Sequence, residues 1–340
     1  MSRAAGGRVA VLYTSVIESL ADVPPELRDT MDLAVNARTI SAALSDAGRE
    51  TRVFSFGTDV QALGREILAF RPDIVFNISE CPLNSAQKEP HAAALLELLR
   101  LPYTGNGPLA LSLCNDKSLA KRIVASHGIA TPAFRVYAAP PAGPSGLPLP
   151  AIVKPAREDG SAGITEESVV ETEDALRERV RHVVEKYAQE AIVEEFVGGR
   201  EFNVAVLGNG TAGDPHRPLP PAELVYRNPA WRVCSFESKW DATHPSYAEI
   251  APEVPARVPA PLAARLQEIA MTCARVFGLC GYARVDFRLD ARGEPCVLEV
   301  NPNPDISPDA GLARAARAAG LSYGALLLEI ERLGLARGAR

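Results

Sequence analysis

The chain has 340 residues, of which 47% are hydrophobic and 23% charged, the usual balance of a globular protein large enough for two or three domains. Its formal net charge is −6 and it has no basic run, which argues against a protein that binds the phosphate backbone of nucleic acid. No stretch approaches the roughly 20 apolar residues of a membrane span, and the six cysteines are too scattered for a zinc site or a disulfide framework.

The first third of the chain alternates strand and helix signals. Strands are predicted at residues 9–13, 51–56 and 73–78. Helices are predicted at residues 33–47, 60–70, 92–99 and 117–127. The β-α-β-α-β order at the start of this region predicts a parallel sheet covered by helices.

Residues 140–150 differ in composition from the segments on either side, since they contain five prolines and two glycines. This composition predicts a loop or linker. Strands are then predicted at residues 151–154, 191–196, 201–207, 283–289 and 295–300. Helices are predicted at residues 173–187, 261–277, 312–319 and 323–333. Residues 290–294 join the last two strands and have the sequence of a good hairpin turn.

The last hairpin carries the sharpest group of candidate site residues. Alternate residues of a strand point to the same side, so Arg284 and Asp286 share one face, and Glu299 and Asn301 share a face of the partner strand. Two carboxylates and an amide oxygen suit Mg²⁺, and an arginine beside them can stabilise charge on a transferring phosphoryl group. The alternative is a solvated, charged outer face with a chance salt bridge.

A second candidate segment runs from Val153 to Gly163. A predicted strand ends at Lys154, and the following loop contains Gly160 and Ser161. Small residues let backbone N–H groups approach phosphate oxygens, while the lysine supplies a positive charge. The Walker A pattern G-x-x-x-x-G-K-[ST] is absent, and an ordinary glycine-rich turn is the alternative interpretation.

A third candidate segment, from Ile192 to Glu201, alternates apolar residues with acids in a short strand. Its exposed backbone could bind the amine of an adenine ring, and a carboxylate could hold ribose hydroxyls. An ordinary strand and turn is the alternative interpretation here as well.

Taken together and in this order, the three segments resemble the ATP-grasp superfamily and, within it, the D-alanine–D-alanine ligases. The resemblance runs from about Leu95 to Leu328. The strings that carry it are Leu95-Leu96-Glu97-Leu98, Leu101-Pro102-Tyr103-Thr104-Gly105, Asn115-Asp116-Lys117 followed by Lys121, Val153-Lys154-Pro155, Glu194-Glu195-Phe196, Gly199-Arg200-Glu201-Phe202, Ser238-Lys239-Trp240, Ala283-Arg284-Val285-Asp286 and Leu298-Glu299-Val300-Asn301. Their number and shared order carry the resemblance, since each string is weak alone.

The resemblance implies an α/β ATP-grasp fold of three α/β domains, with ATP bound between the central and C-terminal domains. The expected divisions are an N-terminal domain at 1–116, a central ATP-grasp subdomain at 117–201 and a C-terminal metal-binding domain at 202–340. The implied reaction has two steps: ATP phosphorylates a carboxylate, and an amine then attacks the acyl-phosphate to give an amide, ADP and phosphate. The protein's contribution would be charge neutralisation and exclusion of water.

The resemblance also implies roles for single residues. The nucleotide-binding positions are the phosphate lysines Lys117 and Lys154, the loop residues Gly160 and Ser161, the adenine hinge Glu194, Glu195 and Val197, and the ribose-binding Glu201. The ligands of two Mg²⁺ ions, with Mn²⁺ as an alternative metal, are Asp286, Glu299 and Asn301. Arg284 matches the arginine that steadies the acyl-phosphate and the tetrahedral state, and Lys239 matches a lysine of the mobile loop that closes on the γ-phosphate.

The departures from the family pattern lie on the substrate side. The family's opening G-G-x-S-x-E stretch, whose glutamate receives the first D-alanine's amine, is replaced by Tyr13-Thr14-Ser15 and an extended segment. Glu18, Asp29 and Asp32 are candidate replacements, and the residues do not choose among them.

Further departures concern both amino-acid pockets. Gly160 stands where the family has a serine and Trp240 where it has a tyrosine, while Ser79-Glu80-Cys81-Pro82 replaces the H-G-x-x-G-E-D-G stretch and Pro302-Asn303-Pro304-Asp305 follows Asn301. A site built on specific hydrogen bonds loses its substrate when those groups are replaced. We therefore expect substrates other than D-alanine. Candidates for the altered pocket are Arg227, Trp231, Arg232 and Asp305, which could instead be surface residues near a mobile loop.

Three hypotheses follow. The first is a ligase of other amino-acid or small-peptide substrates, and the second is a genuine D-alanine–D-alanine or D-lactate ligase, which D-alanine-dependent ADP release would reveal. The third is an ATP-binding module without catalysis, which has little reason to keep the four hairpin residues together. Small-molecule carboxylates and amines are the expected partners, without nucleic acid or membrane. A cytoplasmic location is expected, and the residues neither support nor oppose a homodimer, which family members often form.

Overall fold

The N-terminal part is a parallel sheet flanked by helices. The computed structural model describes residues 7–14, 29–241 and 243–338, and within these the side chains of residues 29–32, 84 and 240 are not described. Its elements are β1 (Arg8–Thr14), α1 (Asp29–Asp46), β2 (Glu50–Phe56), α2 (Val60–Phe70) and β3 (Ile74–Ile78). The strand order is β2-β1-β3, all parallel, which confirms the predicted arrangement.

Three helices follow this sheet: α3 (Glu89–Leu98), α4 (Pro108–Asn115) and α5 (Lys117–Ser126). Helix α4 was not predicted, because the turn-like residues before it dominate the local pattern. At that turn Gly105 has a φ of 82°, and a Cβ there would lie 2.6 Å from Oδ1 of Asn303. The missing side chain therefore lets the backbone approach the C-terminal part, where Asn106 donates its side-chain amide to the carbonyl of Tyr282 at 2.9 Å.

The central part is a four-stranded antiparallel sheet. It contains β4 (Phe134–Tyr137), β5 (Ala151–Pro155), β6 (Val169–Val170), α6 (Glu173–Tyr187) and β7 (Ala191–Glu195), in the strand order β4-β7-β5-β6. Val153 and Val193 pack against Leu176 and Val180 of α6. Residues 140–150 contain no helix or strand, as predicted, while strand β4 was missed.

The C-terminal part is a larger antiparallel sheet. Its elements are β8 (Glu201–Leu207), β9 (Arg217–Pro218), β10 (Ala222–Tyr226), α7 (Phe236–Trp240), α8 (Pro245–Glu249), β11 (Ile250–Glu253), α9 (Ala260–Val276), β12 (Tyr282–Leu289), β13 (Pro295–Asn301), α10 (Gly311–Ala318) and α11 (Tyr323–Arg337). The strand order is β11-β10-β8-β12-β13, with β9 paired to β8. Helix α9 covers one face, where Leu266 and Cys273 pack with Phe202 and Val204.

The last helix returns to the N-terminal sheet. Leu326 and Ile330 of α11 share a core with Val9 and Ile74, and Arg49 forms an ion pair of 2.9 Å with the buried Glu331. The two ends of the chain are therefore held together by a shared core, which places the loop after β13 against the N-terminal strands. Across the described residues, every helix is too short or too polar to cross a membrane.

Candidate active site

The predicted convergence on the last hairpin is confirmed by the strand register. Arg284 lies opposite Asn301, and Asp286 lies opposite Glu299, so the four side chains share one face. A β-bulge follows Asp286, because Phe287 pairs with Val297 and skips one residue of β13.

Asp286 is held by its neighbours on this face. Arg284 donates to both of its carboxylate oxygens, from Nε at 2.7 Å and from Nη2 at 2.8 Å. The side-chain amide of Asn301 donates to Oδ2 at 2.9 Å. Burial opposes the charge of Arg284, but Asp286 beside it raises the arginine pKa above its usual range. The arginine is therefore a permanent cation fixed by a bidentate pair.

Helix α5 brings Lys117 to the same face. Its Nζ lies 2.7 Å from Oε1 of Glu299 and 3.8 Å from Asp159 of the glycine-containing loop. Burial raises the pKa of Glu299, but the charges of Lys117 and Lys154 bring it down to about 2. Glu299 is therefore an anion across the physiological pH range.

A buried ion triplet lies beside this pair. The carboxylate of Glu194 is 1% exposed and lies 2.9 Å from Nζ of Lys154 and 3.0 Å from Nζ of Lys121. Burial alone would raise the pKa of Glu194, and the two lysines reverse that effect. The side chain of Glu194 thus orients two lysines of the predicted phosphate-binding side.

Lys121 belongs to the site although no role was predicted for it. It also donates to the hydroxyl of Thr131 at 3.0 Å, and that hydroxyl donates to the carbonyl of Val297 in β13 at 2.8 Å. Residues four apart on a helix share a face, so the spacing of Lys117 and Lys121 could have predicted that both lysines face the site.

Arg288 is a second residue that sequence reasoning missed. It is 6% exposed and lies opposite Glu201 on the neighbouring strand β8. Its Nε donates to Glu201 at 2.8 Å and its Nη1 to the carbonyl of Val197 at 3.0 Å, while the hydroxyl of Tyr226 donates to the same Glu201 oxygen at 2.8 Å. The guanidinium also lies 5.0 Å from the centre of the Phe196 ring. One arginine therefore links the predicted ribose acid to Val197 of the predicted hinge. Glu195 of the same hinge is the last residue of β7.

The glycine-containing loop lies against the segment that carries Lys239. Gly160 and Ser161 both have positive φ, of 63° and 68°, and the Ser161 hydroxyl donates to the carbonyl of Cys234 at 2.9 Å. Burial raises the pKa of Asp159, and Lys117 and Lys239 oppose that rise. The structure therefore places Lys239 of α7 on the same side of the site as Lys117.

The comparisons with known proteins agree with this geometry. The family model described as "D-ala D-ala ligase C-terminus" matches residues 142–331, more than half of the chain. The chain belongs to the D-alanine–D-alanine ligase family. A "D-alanine--D-alanine ligase" of Bordetella petrii is 34% identical over 300 residues, 87% of this chain and 85% of that protein. The "Uncharacterized protein y4sG" of Sinorhizobium fredii is 32% identical over 329 residues, 94% of each chain.

Solved structures show the same fold. The crystal structure of the D-alanine–D-alanine ligase from Bacillus anthracis complexed with ATP matches with a TM-score of 0.73 at 21% identity, covering 98% of both chains. The ATP-grasp fold is therefore confirmed, and this family member is an ATP-dependent carboxylate–amine ligase acting on small molecules.

The four candidates for the altered pocket each make their own local contacts. Arg232 forms an ion pair of 2.7 Å with Glu171, the Trp231 ring lies 5.6 Å from the ring of His244, and Arg227 is exposed. Asp305 is in the loop after β13, where it accepts two hydrogen bonds from Ser307. The Asp29 and Asp32 side chains, like Trp240, are not described, and Glu18 lies outside the described residues.

The predicted metal ligands all lie on the hairpin face. Within residues 7–14, 29–241 and 243–338 there is no group of three or more His, Cys, Asp or Glu side chains that could hold a metal ion. The predicted set instead combines the carboxylates of Asp286 and Glu299 with the amide of Asn301. These are hard oxygen donors, which fit Mg²⁺ that also binds substrate phosphates.

Proposed function

We propose that this ligase phosphorylates the carboxylate of an amino acid or small peptide with ATP and joins the resulting acyl-phosphate to an amine, releasing ADP and phosphate. The observation that carries the proposal is the hairpin face, which contains Arg284, Asp286, Glu299 and Asn301. The Nζ atom of Lys117 lies 2.7 Å from Oε1 of Glu299 on this face. Alternating cations and oxygen donors at this spacing can neutralise a triphosphate and the charge that develops during phosphoryl transfer.

The nucleotide would lie between the central and C-terminal sheets. We assign Lys117 and Lys154 to its phosphates, with the positive-φ residues Gly160 and Ser161 covering them. The backbone of Glu194, Glu195 and Val197 would bind the adenine ring. Glu201 would bind the ribose, with its second oxygen held by Arg288 and Tyr226.

Magnesium fits the remaining donors. Asp286, Glu299 and Asn301 would hold Mg²⁺, in two ions as the family pattern implies, or Mn²⁺ in its place. When bound, the metal supplies positive charge to the phosphates. Arg284 would then contact the transferring phosphoryl group, and Lys239 would approach it from α7 and help to exclude water.

The substrates are proposed to be amino acids or small peptides other than D-alanine. A second candidate is D-alanine–D-alanine ligation, because the Bordetella petrii relative that carries this name matches 87% of the chain. The replacement of the family's loop serine by Gly160 and tyrosine by Trp240 favours the first candidate.

The test is to incubate the enzyme with ATP, Mg²⁺ and pools of D- and L-amino acids, and to follow ADP release together with product masses. Arg284→Ala serves as the blank, and Arg292→Ala, on the exposed hairpin turn, serves as the matched control. A new mass equal to two substrates less water supports the proposal. A D-alanyl-D-alanine mass selects the second candidate, and silence from all pools with retained ATP binding contradicts both.

A homodimer and a cytoplasmic location stay predictions. Light scattering of the purified chain measures the first directly, and the activity assay does not depend on either.

A further inference from the structure

Strand β13 lies at the edge of the C-terminal sheet, next to β12. The loop between α5 and β4 runs along its outer side and binds both backbone polar groups of Val297. The N–H of Val297 donates to the carbonyl of Ala130 at 2.8 Å, and its carbonyl accepts from the hydroxyl of Thr131 at 2.8 Å. Residues 130–131 therefore hold this edge of β13 from the side opposite β12.

Val297 is the last residue of β13 that follows the regular pairing from the turn. The next residue, Leu298, is skipped, and Glu299 lies opposite Asp286. Without the bulge Asp286 would lie opposite Leu298, and Glu299 would turn to the other face of the sheet. The bonds to Val297 therefore hold the strand at the point that decides where Glu299 lies.

The Thr131 hydroxyl also reaches the ion triplet. Nζ of Lys121 donates to it at 3.0 Å and lies 3.0 Å from Glu194, which lies 2.9 Å from Nζ of Lys154. An ammonium can only donate and a carbonyl can only accept, so the hydroxyl accepts from Lys121 and donates to Val297. Lys121 and Val297 are both buried. Loss of this hydroxyl would therefore remove a partner from a buried polar group at each end.

We propose that Thr131 is a positioning residue that couples the phosphate-binding lysines to the metal-binding strand, because its one hydroxyl holds Lys121 on one side and β13 on the other. The inference rests on the proposed ligase function and adds a neutral residue to its nucleotide site. Lys154 is assigned to the phosphates and Glu299 to the metal, and both must fit one nucleotide. A bond that orients the supports of both groups sets one against the other.

Two variants of Thr131 separate its hydroxyl from its shape. Thr131→Ser keeps the hydroxyl, and Thr131→Val replaces it with a methyl group. The matched control is Thr272→Val in α9, because the Thr272 hydroxyl also accepts from a basic side chain, Nη2 of Arg275 at 2.8 Å, and donates to a carbonyl, that of Glu268 at 2.9 Å. The control therefore loses the same two kinds of bond within a helix that carries none of the predicted site residues.

The first measurement is calorimetric binding of ATP, in EDTA and in Mg²⁺, without any amino-acid substrate. In Thr131→Val we expect the affinity in EDTA to fall about tenfold, as for loss of a hydrogen bond to a charged group, because the ion triplet loses a support. The gain in affinity on adding Mg²⁺ should also shrink about tenfold, because Glu299 is held less firmly. Thr131→Ser and Thr272→Val should bind like the unmodified chain. A fall in only one of the two quantities contradicts the coupling.

A double-mutant cycle with Lys121→Met tests the path of the coupling. In EDTA, Thr131→Val should have little further effect once Lys121 is replaced, because the bond to its ammonium is already gone. The effect on the Mg²⁺-dependent gain should persist, because the bond to the Val297 carbonyl does not involve Lys121. Additive losses in EDTA would contradict a path through Lys121.

Steady-state ADP release separates this inference from the ligase reaction. A lower melting temperature of Thr131→Val with unchanged binding of ATP and Mg²⁺ would mean that the hydroxyl serves stability alone, which overturns the inference and leaves the reaction intact. The expected binding losses, restored in Thr131→Ser but without ADP release from any amino-acid pool, support the inference and contradict the proposed reaction.

Discussion

The nucleotide side and the cleft side of the site differ in how their negative charges are balanced. On the nucleotide side Glu194 lies between Lys121 and Lys154, and Glu299 pairs with Lys117. In the cleft lined by Glu89, Asn303 and Asp305, the buried Glu89 forms no ion pair with a described lysine, arginine or histidine and accepts a hydrogen bond from Asn303 at 3.0 Å. The carboxylates of the nucleotide side are therefore kept ionised by lysines of the chain, whereas burial raises the pKa of Glu89 on the cleft side to about 8.

The largest expected effect concerns the hairpin face. Replacing Arg284 with alanine removes the cation that is fixed to Asp286 by two hydrogen bonds, so kcat should fall by about 10²–10³-fold, as for other preorganised charges at a reacting group. Steady-state ADP release measures this. Arg292→Ala should retain activity, and an equal loss in both variants would contradict a special role for Arg284.

The next effect tests whether the ion triplet organises the nucleotide side. Glu194→Gln leaves Lys121 and Lys154 buried without their carboxylate, and loss of one partner of a buried pair costs about 3–5 kcal/mol. Chemical denaturation should show this loss of unfolding free energy. Glu195→Gln, at the adjacent and more exposed position, should lose under about 1 kcal/mol. Equal losses would mean that the triplet adds nothing specific.

A smaller effect is expected for Arg288, which contacts Glu201 and the carbonyl of Val197. Lysine keeps the charge but cannot reproduce these directed bonds, so Arg288→Lys should raise KM for ATP about tenfold with little change in kcat. Initial rates at varied ATP concentration measure both constants. A fall in kcat at unchanged KM would instead place Arg288 in the chemical step.

The smallest effect is a pH dependence that separates the cleft from the nucleotide side. The pKa of Glu89 is about 8 in the folded chain against 4.5 for an ordinary glutamate, so between these pH values the folded state binds the extra proton. The contribution of Glu89 to stability is therefore present below about pH 4.5 and is lost as pH rises to about 8. The charged group that adds to this rise is Asp159, and Glu80 and Asp305 line the same cleft as Glu89.

Melting temperature against pH checks this in the absence of substrate. The difference in Tm between Glu89→Gln and the unmodified chain should move in favour of the variant by a few degrees as pH rises from about 5 to 8. A constant difference would show that Glu89 titrates normally.

Local patterns were sufficient for much of the fold. Helices α2 and α6 begin and end where predicted, because each combines an apolar face with a capping residue: Asp59 accepts from the Ala62 N–H at 2.8 Å and Thr172 from the Ala175 N–H at 3.2 Å. Missed elements such as β4 and β10 are short strands whose partners lie far away in sequence. Their formation depends on sheet pairing rather than on their own residues.

The candidate site divides in the same way. The sequence alone determined that Arg284 shares a face with Asp286 and that Glu299 shares a face with Asn301, because a strand has a period of two residues. The β-bulge after Asp286 then brings the two pairs to one face, since regular pairing from the turn would place Asp286 opposite Leu298. It also determined the family, through short strings in a common order. Only the tertiary structure showed that Glu194 orients two lysines and that Arg288 links the hinge to Glu201. It also showed that Glu89 is buried against Asn303. Such contacts join residues from separate elements, and their strength depends on burial, which no local pattern specifies.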